Sequence, residues 1–556
     1  MLYITNISSI TKPETIKKEK VIVYKDDNIG SNELKNRINF KSVVGGMDVI
    51  GASVIKPIDA QGGYNFDPTV IASPLAKKEF VQEDLSLFSS TSKFKNSSSA
   101  IFTFNDKSQY ERDNINGKKI KYARLYWGGS IYKPWAETNK NTIVDKFLDN
   151  ISGYSSVKFK TPNGVIHSVK ADIKDVKWTS SFSSGNEYVI TPDSLPPAGS
   201  NNTAGRAGLY FVYQASADVT QILKDLKAQP IAQSKFTVGQ IASSIETLDR
   251  YKFDLNYRDK NNKPQTKNLT SPYGAVLYGD GQWNSALGVA QFGGWSLVIV
   301  YDLGVEGEEK GVKTKAINLY DGMVNINPKY GATTEDSRQI YYLTFSDFYT
   351  PRNGAINSTL SFLGFGGRAE VEGENIAINK NGFKSVYKSP LNPDRKQFNS
   401  TITRFGEHAN SSKKYNAQMD LDIFDISDLV TNKQNELELR LEATGSRPDG
   451  GTYNGDRINI GMIALSTEVY KPEVCYMEDI YIKKLKNTND KKHPKEYQDF
   501  YFTKIEPNTP DKPKVTTTIV PADTILTTIV YVKNIKSEDT ENFALKATTD
   551  LNRSYV

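Results

Sequence analysis

The sequence predicts an all-β protein of packed β-sandwich or jelly-roll domains. Short segments of alternating apolar and polar residues recur along the 556 residues, with turn residues between them. Aromatics make up 11% of the chain and are led by Tyr, at 31, a composition suited to pleated, half-buried surfaces. The best helical periodicity is one short stretch, Asp218–Lys227.

Residues 1–40 are polar and rich in Lys and Asn, with a strand-like run at Val21–Tyr24. Val43–Ile55 is β-branched and punctuated by Gly, which marks strand ends or bulges. After a Ser/Thr/Lys-rich loop, Ala100-Ile-Phe-Thr-Phe104 alternates. Ile120–Trp127 alternates too. Ile120, Tyr122, Arg124 and Tyr126 fall on one face, Ala123, Leu125 and Trp127 on the other, and Gly128-Gly129 ends the strand. Val157–Lys160, a Pro162-Asn-Gly164 turn and Val165–Val169 read as a hairpin, with His167 on an ordinary strand face. Leu209–Tyr213 is a strand. In the helix that follows, Asp218 is the cap, and Val219, Ile222, Leu223 and Leu226 share a face.

Gly293–Tyr301 is a continuous apolar run, the signature of a strand buried on both faces. An acidic, mobile loop at Gly304–Lys310 precedes a strand at Ala316–Gly322. Further strands are expected at Gln339–Phe345, Ser358–Phe365, Ala417–Asp425, Glu436–Leu441 and Ile458–Leu465. From Pro472 the chain is basic and Asp/Asn/Lys-rich to residue 515, and Thr524–Asn534 opens a separate β element. The expected organisation is an N-terminal arm (1–40), a first β-sandwich region with insertions (41–290), a second (291–475), a linker (476–514) and a partial terminal domain (515–556).

Composition excludes much chemistry. One cysteine, Cys475, allows no intrachain disulfide, Cys-based zinc site or iron–sulfur cluster. The three histidines, His167, His408 and His493, are far apart, and no nucleophile elbow, zincin helix, Walker loop or dinucleotide fingerprint is present. No enzymatic activity is expected. The net charge of +6 is too small and scattered to argue for nucleic acid. The longest apolar runs fall far below the ~20 residues of a membrane span. The chain begins without the order of a signal peptide, which fits a cytosolic protein or an exported one whose signal is absent from this chain.

Three tryptophans and four aspartates are candidate binding residues. Trp127 and Trp295 each adjoin a Gly pair, and Trp283 lies in Gly279-Asp-Gly-Gln-Trp-Asn284. An aromatic platform for a sugar ring uses such residues, and so does an ordinary core. Asp420 and Asp422, two apart on a strand, share a face, and Asp449 and Asp456 bracket a Gly-rich turn. They are candidate oxygen ligands for calcium, which needs about 6–8 oxygens and so several loops; the alternative is solvated strand and turn residues. Lys533 and Asn534 are adjacent and point to opposite faces, so no Lys–Asn isopeptide bond is expected.

Ala123-Arg-Leu-Tyr-Trp-Gly-Gly129, Ala217-Asp-Val-Thr220, Gly293–Tyr301 and Ile317-Asn-Leu-Tyr-Asp-Gly322, in that order, resemble the N-terminal module of large bacterial cell-surface proteins that carry tandem immunoglobulin-like repeats. A closing segment of that kind is similar to Met419–Asp425, Asn454-Gly-Asp456 and Ile458–Ser466, and Pro521–Asn534 with Asn542–Leu545 resembles the opening of one repeat. The resemblance covers residues 40–480 and 515–556, interrupted by insertions at 183–205 and 251–285. It implies an extracellular, cell-surface location and a partial immunoglobulin-like repeat at 515–556, and carries over no catalytic residue. The expected function is a non-catalytic structural, adhesive or fibre-assembly role. Expected partners are other copies of the chain, surface components, or a host or matrix glycan or protein. The alternative is an extracellular carbohydrate-binding or carbohydrate-active β protein.

Overall fold

The computed structural model describes residues 33–58, 77–134, 152–179, 208–243, 252–258, 264–270, 276–277, 283–284, 292–326, 339–367, 372–386, 389–409, 416–443, 458–470, 474–485, 500–505 and 526–534. The fold is all-β and of sandwich type, with 54% strand and few, short helices. The chain forms two compact units, Met1–Val469 and Tyr470–Val556.

Eleven strands of the first unit are hydrogen-bonded edge to edge. In chain order they are β1 (Leu34–Ser53), β2 (Ile120–Pro134), β3 (Ile173–Thr179), β4 (Gly208–Asp218), β5 (Gly293–Asp302), β6 (Thr314–Ile326), β7 (Ser358–Phe365), β8 (Ile402–Arg404), β9 (Glu407–His408), β10 (Met419–Asp425) and β11 (Ile458–Glu468). Their spatial order is β9-β8-β10-β7-β11-β6-β1-β5-β2-β4-β3. Only the β8–β10 pair is parallel.

β1 turns this run of strands into two layers. Its residues 34–44 pair with β6 on one side, and residues 45–53 pair with β5 on the other. Gly45 sits at the handover with φ +144°, where a Cβ would lie 2.7 Å from the Tyr301 carbonyl. Only glycine tolerates both conditions. The two half-sheets then close on one apolar seam: Met47, Val49, Tyr126, Val298 and Val300 from one bury with Ile317, Leu319, Leu421 and Met462 from the other.

The outer faces are covered as well. Ser97–Ile101, Lys235–Gly239, Ser156–Lys160 and Ile166–Lys170 form a four-stranded sheet whose Phe159, Phe236 and Val238 pack against Leu125, Trp127, Trp295 and Leu297. Gln339–Phe345, Leu437–Ala443, Glu374–Asn379 and Phe383–Ser385 form another, joining Phe345, Ile376 and Leu439 to Leu360, Ile463 and Leu465. The result is four β layers. β5 lies in an inner one, buried on both faces, as its uninterrupted apolar run predicts.

Several expectations are corrected. No boundary falls at 290/291, because β5 and β6 pair with β1 and β2 from the supposed first region. The expected arm at 1–40 overlaps β1, which starts at Leu34. The expected linker 476–514 carries strand: Val474–Leu485 pairs antiparallel with both Phe500–Ile505 and Leu526–Asn534 in a three-stranded sheet of the second unit. Gly304–Glu309, read as a loop, is a short helix with Glu306 in its first turn, where the helix dipole favours a negative charge. The Asp218–Lys227 helix shrinks to Thr220–Lys224, though Asp218 Oδ1 still accepts from the Thr220 amide at 2.8 Å. Ile120 faces away from Tyr122, because Val300 opposes Tyr122 while Tyr301 opposes Ile120, so Lys121 is the extra residue of a bulge.

Candidate functional site

The tryptophan motifs meet each other. In the β2–β5 ladder Trp127 opposes Trp295, Gly128 opposes Gly294 and Gly129 opposes Gly293. The paired glycines let neighbouring layers come close. A Cβ on Gly129 would meet the Ala242 carbonyl at 2.5 Å, and one on Gly294 the Met419 sulfur at 2.2 Å. Both indoles are fully buried, with Trp127 Nε1 donating to the Tyr154 carbonyl at 3.2 Å and Trp295 Nε1 to Ser98 Oγ at 2.9 Å. Trp127 and Trp295 are therefore corrected as ligand platforms: with no exposed face and a satisfied N–H, each is a core residue. Trp283 lies on a two-residue strand, and its side chain is outside the described residues, as are Asp449 and Asp456.

The seam between the half-sheets is crossed by polar pins. Asp321 of β6 accepts from Arg37 Nη2 at 2.7 Å and from the Tyr126 hydroxyl of β2 at 2.8 Å, with Arg124 Nε 3.4 Å away. Arg124 continues outward to Ser216 Oγ and to Asp172. Gln214 Nε2 of β4 donates to the Gly322 and Gly461 carbonyls, both at 2.9 Å, from β6 and β11. Arg404 of β8 joins Asp48 of β1 to Asp106. Burial pushes the Tyr122 phenol up to about 12. Burial works against ionising Asp106, yet Lys107 and Arg404 hold its carboxyl down at about 2. Arg124 was the sequence's one hint of this network, a cation on the same strand face as Tyr122 and Tyr126. Its partner Asp321, and Arg37, which shares that carboxylate, lie 197 and 87 residues away in sequence, and no local pattern joins them.

Asp420 and Asp422 of β10 share a face, as the spacing predicts, but both are fully buried under the loop 389–401. The solvated reading of these two is thereby corrected. Asp420 Oδ1 accepts from the Asn399 and Thr401 amides at 2.7 and 3.3 Å; Asp422 Oδ1 accepts from Thr403 Oγ1 at 2.5 Å and Asn392 Nδ2 at 3.4 Å. Each keeps one buried oxygen, Oδ2, without a hydrogen-bond partner. Burial pushes the Asp420 carboxyl far up, helped by Asp422, and raises Asp422 to about 7. Both hold a proton where ordinary aspartates are ionised. For calcium the donor set is incomplete: two carboxylates with Asn and Thr oxygens, and among the described residues no group of three or more His, Cys, Asp or Glu is placed to hold a metal. Asp425, exposed, instead accepts from Ser427.

A shallow groove of about 350 Å³ lies between Gly354–Ile356, Lys380 and Ser427–Asn432 on an outer layer. Among the described residues no helix is long and apolar enough to cross a membrane.

No family model matches the sequence, and no curated protein matches it. Among solved structures it is similar to that of the infectious bursal disease virus Gx strain at 9% identity, over 69% of this chain and 73% of that one, with a TM-score of 0.13. A likeness at that level carries no argument about fold or function.

Proposed function

We propose that this chain is a non-catalytic, structural module of a bacterial cell-surface protein, serving adhesion or surface-fibre assembly. The observation that supports it is where the surface-module motifs lie. Ala123–Gly129, Ala217–Thr220, Gly293–Tyr301, Ile317–Gly322, Met419–Asp425 and Ile458–Ser466, spread over more than 300 residues of sequence, fall on or beside β2, β4, β5, β6, β10 and β11 of one double layer. They supply its seam and pins through Tyr126 and Asp321, and its packing against the outer sheet through Trp127 and Trp295. Motifs made of packing and cross-layer hydrogen bonds suit a load-bearing scaffold. The carbohydrate reading loses two of its three aromatic platforms to the core.

Antibody raised against the first unit and applied to intact source cells tests the location. Surface labelling that disappears after protease shaving supports the proposal. Antigen reachable only after lysis would falsify it. A glycan and matrix-protein array with the purified chain then distinguishes adhesion from assembly alone.

A further inference from the structure

The four-stranded sheet that covers Trp127 and Trp295 carries charge of one sign. Its strands, Ser97–Ile101, Lys235–Gly239, Ser156–Lys160 and Ile166–Lys170, contain four lysines and no Asp or Glu. Val157, Phe159, Val169, Phe236 and Val238 point into the core, so the pleat places Lys158, Lys160, Lys170 and Lys235 together on the outward face. Register then sets them in a line. Lys160 opposes Thr237, two residues from Lys235, and Lys158 opposes Ser168, two residues from Lys170. Each of those diagonal steps is about 7–8 Å. Lys158 and Lys160 stand about 7 Å apart along their own strand. The lysines thus form a row about 20 Å long that crosses three strands.

We propose that this row binds a sulfated polysaccharide, a linear chain with fixed negative charges along its length. The proposal names a partner for the adhesive role inferred above and rests on that reading for the choice of an extracellular polyanion. Like charges side by side on one sheet face repel, and a polyanion laid along them relieves the repulsion. Lys170 and Lys235 are exposed, and Lys158 and Lys160 are half-buried. Among the described residues the row's one ion pair joins Lys160 Nζ to Asp84 at 2.7 Å, which leaves a local surplus of three positive charges.

The neighbours of the row suit a sugar chain. Ile101 and Ile166, 36% and 40% exposed, stand opposite Lys235 and Lys160 and offer aliphatic surface to the C–H faces of sugar rings. Ser168 stands opposite Lys158 and Ser156 opposite Lys170, placing hydroxyls among the ammonium groups. Nucleic acid is the poorer fit, because unpaired bases stack on exposed aromatic rings and the phenylalanines of these strands, Phe159 and Phe236, are fully buried on the inner side. The turn Leu85–Leu87 covers the outward face over Gly239, where a Cβ would meet Leu87 Cδ1 at 3.1 Å, so the path along the lysines runs beside that turn. The net charge of +6 reads as scattered along the chain because the four lysines come from three strands; strand pairing gathers them.

Surface plasmon resonance of the purified full chain over immobilised heparin, a sulfated polysaccharide, tests this without reference to the cell surface, so its failure leaves the antibody-labelling test of location standing. The wild type should bind heparin at about 0.15 M salt, release it as salt rises towards about 1 M, and ignore uncharged dextran. K170E/K235E, at exposed positions, should fold by circular dichroism and bind about tenfold more weakly, the loss expected for two exposed charge contacts. K41E/K384E makes the same change in net charge at exposed positions off this sheet and should bind as the wild type does. Absence of heparin binding overturns the proposal, and so does undiminished binding by K170E/K235E or an equal loss in K41E/K384E. Tighter binding to single-stranded DNA or to anionic phospholipid vesicles than to heparin overturns the assignment to a polysaccharide.

Discussion

Replacing Asp422 by Asn should change how the stability of the first unit depends on pH. In the fold the Asp422 carboxyl is raised from 3.8 to about 7, chiefly by burial, while Thr403 and Asn392 pull the other way. A raised carboxyl binds its proton more tightly in the folded than in the unfolded chain. Its stabilisation is therefore complete below about pH 4, where both states are protonated. It is lost as pH rises to about 7, because the unfolded chain ionises first. At 1.36 kcal/mol per unit, a shift of about 3 units amounts to about 4 kcal/mol between those limits. D422N cannot ionise, keeps an oxygen for Thr403 Oγ1 and turns a donor towards the position of the unpartnered Oδ2. Asp420 still titrates in both proteins and is raised less in D422N, where the Asp422 charge is gone, so the difference between the two proteins reports the pair and keeps the same sign. Urea unfolding at half-unit intervals from pH 4 to 8 should show the wild type losing stability relative to D422N as pH rises. A difference that stays constant across the interval refutes the argument. A difference of opposite sign would mean that a bound cation keeps the pair ionised, and repeating the series with chelator would then restore the expected slope.

Y126F removes the hydroxyl that pins β2 to Asp321 and leaves the Arg37 pair in place; it should cost about 1.5–3 kcal/mol in urea unfolding. G129A drives a Cβ into the backbone carbonyl of Ala242, which cannot rotate away, and should cost about 1–3 kcal/mol or leave no folded protein by circular dichroism. W295A should lower stability by about 3–5 kcal/mol and leave any glycan or matrix binding on the array unchanged, since the indole is fully buried.

Periodicity alone determined which residues face together along single strands. The alternation of Leu125 and Trp127 against Tyr126, the doubly buried run of β5, and the hairpin in which Phe159 opposes His167 are local properties of the pleat, so the sequence carries them directly. Ile120 escaped this reading because a one-residue bulge reverses every face beyond it, and its cause lies in the pairing with β5. The partition into domains escaped for a related reason: strand pairing is non-local, and nothing in residues 34–53 announces that one half will join β6 and the other β5.

The same distinction separates the candidate sites. The sequence located Asp420 and Asp422 and their shared face. Their protonation follows from the loop that removes water from them, 19 to 30 residues upstream. It located both tryptophans but could not tell a platform from a core, since the glycine pairs that suit a ligand equally suit the Ala242 backbone and the Met419 side chain. Arg37 with Asp321, Gln214 with the Gly461 carbonyl, and Lys315 with Asn357 were decided by tertiary structure alone. Charge and reactivity depend on what lies within a few ångströms after folding, and in a layered β protein those neighbours come from distant strands.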